Sequence, residues 1–302
     1  MTGTSSPAGT PGLADAFQAQ RPRLLRLAYA ATGSAADAED CVQEAWLRLS
    51  RVPDPGTIAD LPAWLTTTVS RLALDALGSA RARRERAAGP WLPEPLVADL
   101  RAADPADQVT LDEHVSIALL VVLERLSPAE RTAFVLHDVF GVDFDEIAEV
   151  VGRTPGAVRQ LASRARKHVR DGQPRFPPTP AEQAELVAAF AAACANGDLD
   201  RLASLLDPRV TWRADGGGKV TAAPVLAHGA QDVARILLGF AARGPAEVRT
   251  VLVNGTPGLV VRDAGQVLSV IALTVDRGRI TAIDVIRDPG KLTSVEGQHS
   301  GG

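Results

Sequence analysis

Between Ser127 and Arg170 the chain carries three helix starts separated by two glycine stops, and that punctuation limits what it can fold into. Ser127-Pro128-Ala129-Glu130 is a capping box: Ser accepts from the third helical amide, Pro takes the first helical position, and Glu reaches back to the cap. The spacing predicts a helix ending near Gly141. Asp143-Phe144-Asp145-Glu146 repeats the box and opens a short helix over 144–151, which Gly152 ends in the left-handed conformation. Thr154-Pro155 caps a third helix. Along it Val158, Leu161, Ala162, Ala165 and Val169 recur at helical spacing, leaving Arg159, Gln160, Ser163, Arg164, Arg166, Lys167 and Arg170 on the other side. Two helices joined by the tight turn Gly152-Arg153-Thr154, the second basic on its free face, form a helix-turn-helix with its recognition helix facing the major groove. The small first turn, with Gly156, lets the backbone approach phosphate beside Arg153 and Thr154. Arg159 and Gln160 are placed for base edges, and Arg164, Lys167 and Arg170 for phosphates. A three-helix packing unit with a solvated basic face is the competing reading.

The 302 residues suffice for two or three domains with real cores. A net charge of -4 and a pI near 5.8 exclude a bulk nucleic-acid coat protein, so DNA binding has to come from local basic patches, at an affinity that a partner assists. Cys41 and Cys194 offer neither a disulfide framework nor zinc spacing and read as small buried hydrophobes. The pattern calls for no metal and no cofactor. The Gly/Pro/Ser/Thr-rich start, 1–12, reads as disordered rather than as a signal peptide. No apolar run approaches a membrane span, and the expectation is a cytoplasmic protein.

In order, Leu13–Ala31 is helical and Gly33 stops it. Ser34-Ala35-Ala36-Asp37 caps a helix to about Leu49, with Ala38, Val42, Ala45 and Leu49 as its buried stripe. Asp37, Asp40 and Glu44 share a neighbouring face, either solvated or a docking surface for a basic helix. After a loop over 51–60, a helix from Leu61 buries Leu65, Val69, Leu72 and Ala76 and pairs Arg71 with Asp75, worth ~0.2–0.5 kcal/mol. It runs into the cations Arg81, Arg83 and Arg84, a solvated run or a phosphate-tracking surface. Trp64 reads as core or as a stacking platform for an unpaired base. Trp91-Leu92-Pro93-Glu94-Pro95-Leu96 cannot be a helix interior and reads as an extended linker with an apolar anchor. A helix over 115–126 completes the bundle. Beyond the Pro-rich stretch 172–180 come two helices, to about Gly197 and Leu206, then strands near 210–214, 248–253, 259–262, 267–275 and 280–286, with a helix near 232–242. Helices followed by a strand meander predict a small α+β domain.

The order of these pieces resembles an extracytoplasmic-function sigma factor of bacterial RNA polymerase. The resemblance is carried by Asp37-Ala38-Glu39-Asp40-Cys41-Val42-Gln43-Glu44-Ala45-Trp46, then Trp64-Leu65 through Asp75, the arginine run, and the helix-turn-helix with Arg131, Glu146-Ile147-Ala148 and Thr154-Pro155-Gly156-Ala157-Val158. It implies region two over 13–90, a Pro-rich linker over 91–111, region four over 112–172 and a second linker over 173–179. Residues 180–293 resemble the SnoaL-like cone domain fused to one branch of the family, followed by a disordered tail over 294–302. The implied fold class is multidomain: two all-α sigma domains, the second with a helix-turn-helix, plus a C-terminal α+β cone. By that resemblance Asp37, Asp40, Gln43 and Glu44 dock on the clamp helices of core polymerase. Trp64, Arg71, Arg81, Arg83 and Arg84 meet the melted -10 element. Arg153, Thr154, Gly156, Arg159, Gln160, Ser163, Arg164 and Lys167 read the double-stranded -35 element. That branch also carries Trp91-Leu92-Pro93-Glu94-Pro95-Leu96 and Asp215-Gly216-Gly217-Gly218-Lys219, and both are intact. Its terminal Asn-Pro-Asp-Lys-Leu is here Asp288-Pro289-Gly290-Lys291-Leu292, and the wider family's Asn before the region-two Asp is here Arg71. Trp91, Leu92, Pro93, Asp215, Lys219, Lys291 and Leu292 are thus the implied regulatory contacts between cone and sigma domains.

Cone folds host enzymes as well as binding modules. The polar candidates are Asp215, Lys219, His228, Asp263 and Asp284, and the expectation is a regulatory module without turnover, with room for a small ligand. Two other classes stay open at this point: a one-component DNA-binding regulator whose cone senses a metabolite, and a cone enzyme with a DNA-binding appendage.

Overall fold

The computed structural model describes residues 12–84, 90–99, 115–222, 225–242 and 246–297. The first helical unit packs α1 (Leu13–Thr32), α2 (Ala35–Ser50) and α3 (Leu61–Arg84), with a 3-10 turn at Pro55–Thr57. Gly33 ends α1 at φ 72, and the Ser34 hydroxyl accepts from the Asp37 amide at 3.2 Å to start α2. Ala38, Val42, Ala45 and Leu49 form the buried stripe of α2 as its spacing predicts.

The second unit comprises α4 (Ile117–Leu123), α5 (Pro128–Phe134) running on as a π-helical turn over Val135–Val139, α6 (Phe144–Val151) and α7 (Pro155–Gly172). The Ser127–Glu130 capping box is complete, and Thr154 caps α7. Asp143 starts α6 without a side-chain cap bond, unlike the box its sequence suggests. The helix expected over 115–126 is shorter, because Ser116 caps it and Val115 is left extended.

In the C-terminal domain α8 (Pro180–Asn196), α9 (Leu199–Leu205) and α10 (Ala230–Ala241) pack against one curved sheet. Its strands are β1 (Val97–Ala98), β2 (Leu206–Asp215), β3 (Leu226–His228), β4 (Glu247–Val253), β5 (Thr256–Asp263), β6 (Gln266–Asp276) and β7 (Arg279–Ile286), in the order β1-β4-β5-β6-β7-β2-β3. Three hairpins turn on Asn254-Gly255, Ala264-Gly265 and Arg277-Gly278, all six residues at positive φ, which matches the twist of the flanking strands. Strands β2 and β7 are the one parallel pair recorded among the described strands.

Three elements lie outside the expected layout, the short edge strand β3 among them. Strand β1 belongs to the linker, pairing Val97 with Val253 and Ala98 with Leu252. Helix α11 (Pro289–Gly297) buries Leu292 and Val295, so the tail expected from 294 is helical through Gly297. Alternation along the strands divides the sheet's faces. Leu259, Ile271, Ile283 and Val285 belong to the cone's own core. Val253, Val260, Val270 and Ile286 belong instead to a continuous apolar cluster with Leu27 of α1, Leu120 of α4 and Leu136 beyond α5. The sheet's outer face therefore completes the core of both helical units.

Candidate nucleic-acid interface and interdomain junction

On α7, Val158, Leu161, Ala162, Ala165 and Val169 are buried. Arg153, Thr154, Gly156, Arg159, Gln160, Ser163, Arg164 and Lys167 are all exposed, on one continuous surface. Two of its cations are held by neighbours: Arg159 lies 5.4 Å from the Phe144 ring centroid, and Arg164 Nε donates to Glu130 at 2.8 Å. Partial burial raises the Glu130 pKa, but hydrogen bonds from Arg164 and Ser127 outweigh it and hold the carboxyl below its ordinary value. Arg166, grouped with the free cations by spacing, is half-buried and bonded to Asp138 at 2.5 Å.

On α2, Asp40 and Gln43 are exposed, while Asp37 and Glu44 are half-buried, Glu44 accepting from Arg48 at 2.9 Å. Burial, with Asp37, Asp40 and Asp75 nearby, pushes the Cys41 thiol up to about 11, so it is inert packing. On α3, Trp64 is half-buried against the core. The Arg71–Asp75 pair does not form. Arg71 Nη2 instead donates to the Glu149 carbonyl of α6 at 3.2 Å, tying the first helical unit to the second. The backbone of Arg81, Arg83 and Arg84 continues α3, but their side chains lie outside the described residues.

Of the seven residues expected between the domains, Trp91, Leu92, Asp215 and Lys291 meet one another. Asp215, buried at the end of β2, accepts from the Leu92 amide at 2.8 Å and from Lys291 Nζ at 2.6 Å. Lys291 also donates to the Leu92 carbonyl at 2.5 Å and sits 4.2 Å from the Trp91 ring centroid, a cation–π contact. Leu92 and Pro93 are buried, as is Leu292 behind them. Lys219 is exposed and pairs with Asp288 at 3.0 Å. Asp288, where the resemblance leads one to expect Asn, supplies the carboxylate that faces Lys219. A Cβ on Gly290 would lie 2.9 Å from the Lys219 ammonium. The Trp91 ring packs on Gly33, where a Cβ would lie 3.0 Å away.

A second junction, absent from the sequence reading, centres on Asn254 of the β4–β5 turn. Its Nδ2 donates to Tyr29 Oη at 2.7 Å and to the Val115 carbonyl at 3.0 Å, and its Oδ1 accepts from the Leu96 amide at 3.0 Å. Tyr29 Oη in turn donates to the Glu94 carbonyl at 2.7 Å. One turn thereby joins the linker and both helical units to the cone. The Asn254-Gly255 dipeptide was a readable hairpin signal. Its partners Val115, Leu96 and Tyr29, which lie 139, 158 and 225 positions away along the chain, were not.

Glu94 sits at the N-terminus of α2, accepting from the Ala35 amide at 2.8 Å. Burial raises its pKa, the bonds from Ala35, Ala36 and Ser34 and the charge of Lys291 only partly offsetting that. A carboxyl whose pKa is raised on docking favours the docked state when protonated. Its contribution is complete below the ordinary glutamate value and is lost as pH rises through the raised one. Glu94→Gln should therefore gain stability relative to the native protein at neutral pH, and that gain should shrink as pH falls towards 4.5. Paired melting curves across this range check it; a difference independent of pH would contradict it.

The five polar candidates of the cone do not converge. Asp215 holds the linker, and Lys219 pairs with Asp288. Asp284 is buried with Arg213, its pKa raised by burial against the pull of that guanidinium. His228 meets Thr211 at an exposed edge, and Asp263 stands exposed at the end of β5. Among the described residues no helix is long and apolar enough to cross a membrane, and no cluster of His, Cys, Asp and Glu could hold a metal ion.

Comparison with known proteins gives consistent matches. Residues 16–83 match the family model described as Sigma-70 region 2, and residues 116–169 match Sigma-70, region 4. The chain is 47% identical over 291 residues to ECF RNA polymerase sigma factor SigJ of Mycobacterium tuberculosis, covering 92% of each. It is 38% identical over 293 residues to the probable ECF RNA polymerase sigma factor SigI of the same species, covering 95% of this chain and 97% of SigI. The crystal structure of M. tuberculosis SigJ aligns with a TM-score of 0.74 at 42% identity, covering 93% of this chain and 98% of that one.

Proposed function

The chain belongs to the extracytoplasmic-function RNA polymerase sigma factors, and from this we propose that its cone domain regulates initiation in cis by holding the two DNA-binding domains docked on each other. As a sigma factor it binds core RNA polymerase and directs it to promoter DNA, which is recognition and strand opening and needs no catalytic residue. We place this work in the cytoplasm, with the polymerase.

We assign the exposed face of α7 to the -35 duplex. Trp64, Arg71, Arg81, Arg83 and Arg84 we assign to the -10 strand, and Asp37, Asp40, Gln43 and Glu44 to the clamp helices of the polymerase. The observation that carries the regulatory reading is the bond from Arg71 to the Glu149 carbonyl. It joins a residue assigned to the -10 element to the helix-turn-helix. Promoter elements about 25 base pairs apart are separated by roughly 85 Å of duplex. A 24-residue helix such as α3 spans about 36 Å. Two domains in direct contact do not reach both elements, so polymerase binding has to pull them apart and release the linker from the cone.

The test is run-off transcription with core polymerase, using full-length protein and Trp91→Ala. A point variant is preferable to removing the cone, because Val253, Val270 and Ile286 complete the sigma core and their loss would expose it. Trp91→Ala loses the cation–π contact to Lys291 and the packing on Gly33, so it should initiate several-fold more transcript and scatter as a more extended particle. Unchanged transcription together with unchanged compaction would sink the cis mechanism.

A further inference from the structure

We propose that the cavity inside the cone binds a small amphipathic organic acid, a flat aromatic or alicyclic body bearing one carboxylate. The cavity lies between α10 and the sheet's inner face and measures about 390 Å³, within the roughly 300–1,000 Å³ of small-molecule sites. Trp212 and Phe240, with rings 5.9 Å apart and 18° from parallel, form a flat apolar wall, continued by Leu237, Ile271 and Val285. Such a wall suits a flat apolar body and offers it no hydrogen bonds.

Three polar groups interrupt the lining. Ser269 is 7% exposed, and its hydroxyl has no hydrogen-bond partner among the described residues. The hydroxyl opens on the cavity, where the apolar wall gives it no partner and a ligand oxygen would. Arg287 stands half-buried, its guanidinium 5.9 Å from the Phe240 centroid and donating to the Thr221 carbonyl at 2.6 Å. Its planar fork matches a carboxylate in geometry and charge. Asp263 is exposed and selects against a second acid group on that side. One cation, one hydroxyl and an aromatic wall define the ligand class. Among the described lining residues Asp263 is the one group able to act as general acid or base, and the role proposed is binding.

The pleat connects this site to the regulatory face. Val285 of β7 and Arg287 just beyond its end line the cavity, while along the strand Asp284 and Ile286 alternate to the opposite face. The Arg287 amide donates to the Asp215 carbonyl at 2.7 Å, and Asp215 holds Leu92 of the linker.

The experiment is calorimetric titration of full-length protein with 2-naphthoate and with its neutral counterpart 2-naphthol. Saturable one-to-one binding of naphthoate, at least tenfold tighter than naphthol, is expected. Arg287→Gln should bring the two affinities together while naphthol still binds. Ala246→Trp, a plug built from an exposed position at the mouth, should weaken both probes at least tenfold. Absence of saturable naphthoate binding, equal affinity for both probes, or full affinity in Ala246→Trp would each overturn the site. If Arg287→Gln loses both probes, Arg287→Lys decides: a retained preference for naphthoate supports the site and its loss refutes it. The inference stands on the cone alone, so its failure would leave the proposed cis regulation untouched.

Discussion

Asn254→Ala is expected to shift the molecule from the docked to the open arrangement. The side chain makes bonds to Tyr29, Val115 and Leu96, and it is 2% exposed at φ 49. Removing it orphans the Val115 carbonyl and the Leu96 amide at about 1–3 kcal/mol for each group left buried, and Ala at positive φ adds about 1–2 kcal/mol. A net cost of about 3–5 kcal/mol changes the docking equilibrium by roughly two to four orders of magnitude. Small-angle scattering should show a larger radius of gyration, and the Leu96 amide should exchange faster. Asn254→Gly separates the two contributions, because Gly accepts the turn geometry but cannot make the bonds. If the Gly variant stays as compact as the native protein, the side-chain bonds are not what holds the domains together.

The second large effect is in the buried arginine. Arg131 is 1% exposed, paired with Glu124, and its Nη2 donates to the Ala30 carbonyl across the boundary between the helical units. Its Nε is buried without a partner, so the site already carries one unmet donor. Arg131→Met takes away one member of a largely buried pair and should cost about 3–5 kcal/mol, measured by urea unfolding. Arg131→Met with Glu124→Leu should recover most of that loss, since a hydrophobic replacement of both members removes the desolvation cost of both. If the double variant is no more stable than the single one, Arg131 acts through its contact with Ala30 and its packing beside Gly33 rather than through the pair.

The parts legible in the sequence were those encoded locally. Ser34, Ser127 and Thr154 cap the helices their spacing marks, because a cap bond closes within three residues. The apolar face of α7 and the strand meander followed from periodicity. The network around Asp215 and Lys291 was reached through motif resemblance rather than local physics, since nothing near Asp215 announces Leu92. Asn254, Glu94 and β1 were missed as junction elements because each acts on a residue far away in the chain. Val97-Ala98 is too short to read as a strand and becomes one only beside Val253 and Leu252. Arg71 was assigned to Asp75 by helical spacing, but the approach of α6 offers it a backbone carbonyl instead. For the same reason the tail starts later than composition suggests: Val295 is buried where α11 lies against β6, a contact its neighbours in sequence do not announce.

That linker strand also has a consequence in time. Val97 of β1 and its partner Val253 of β4 are 156 residues apart. At about 5–20 residues per second, a ribosome takes on the order of ten to thirty seconds to cover that distance. Over its last part, once Gly172 has been added, both DNA-binding domains are already made, while the strand that is to hold their linker does not yet exist. Under the proposed cis regulation each newly made molecule thus passes through an unrestrained youth, and restraint is among the last things its synthesis supplies.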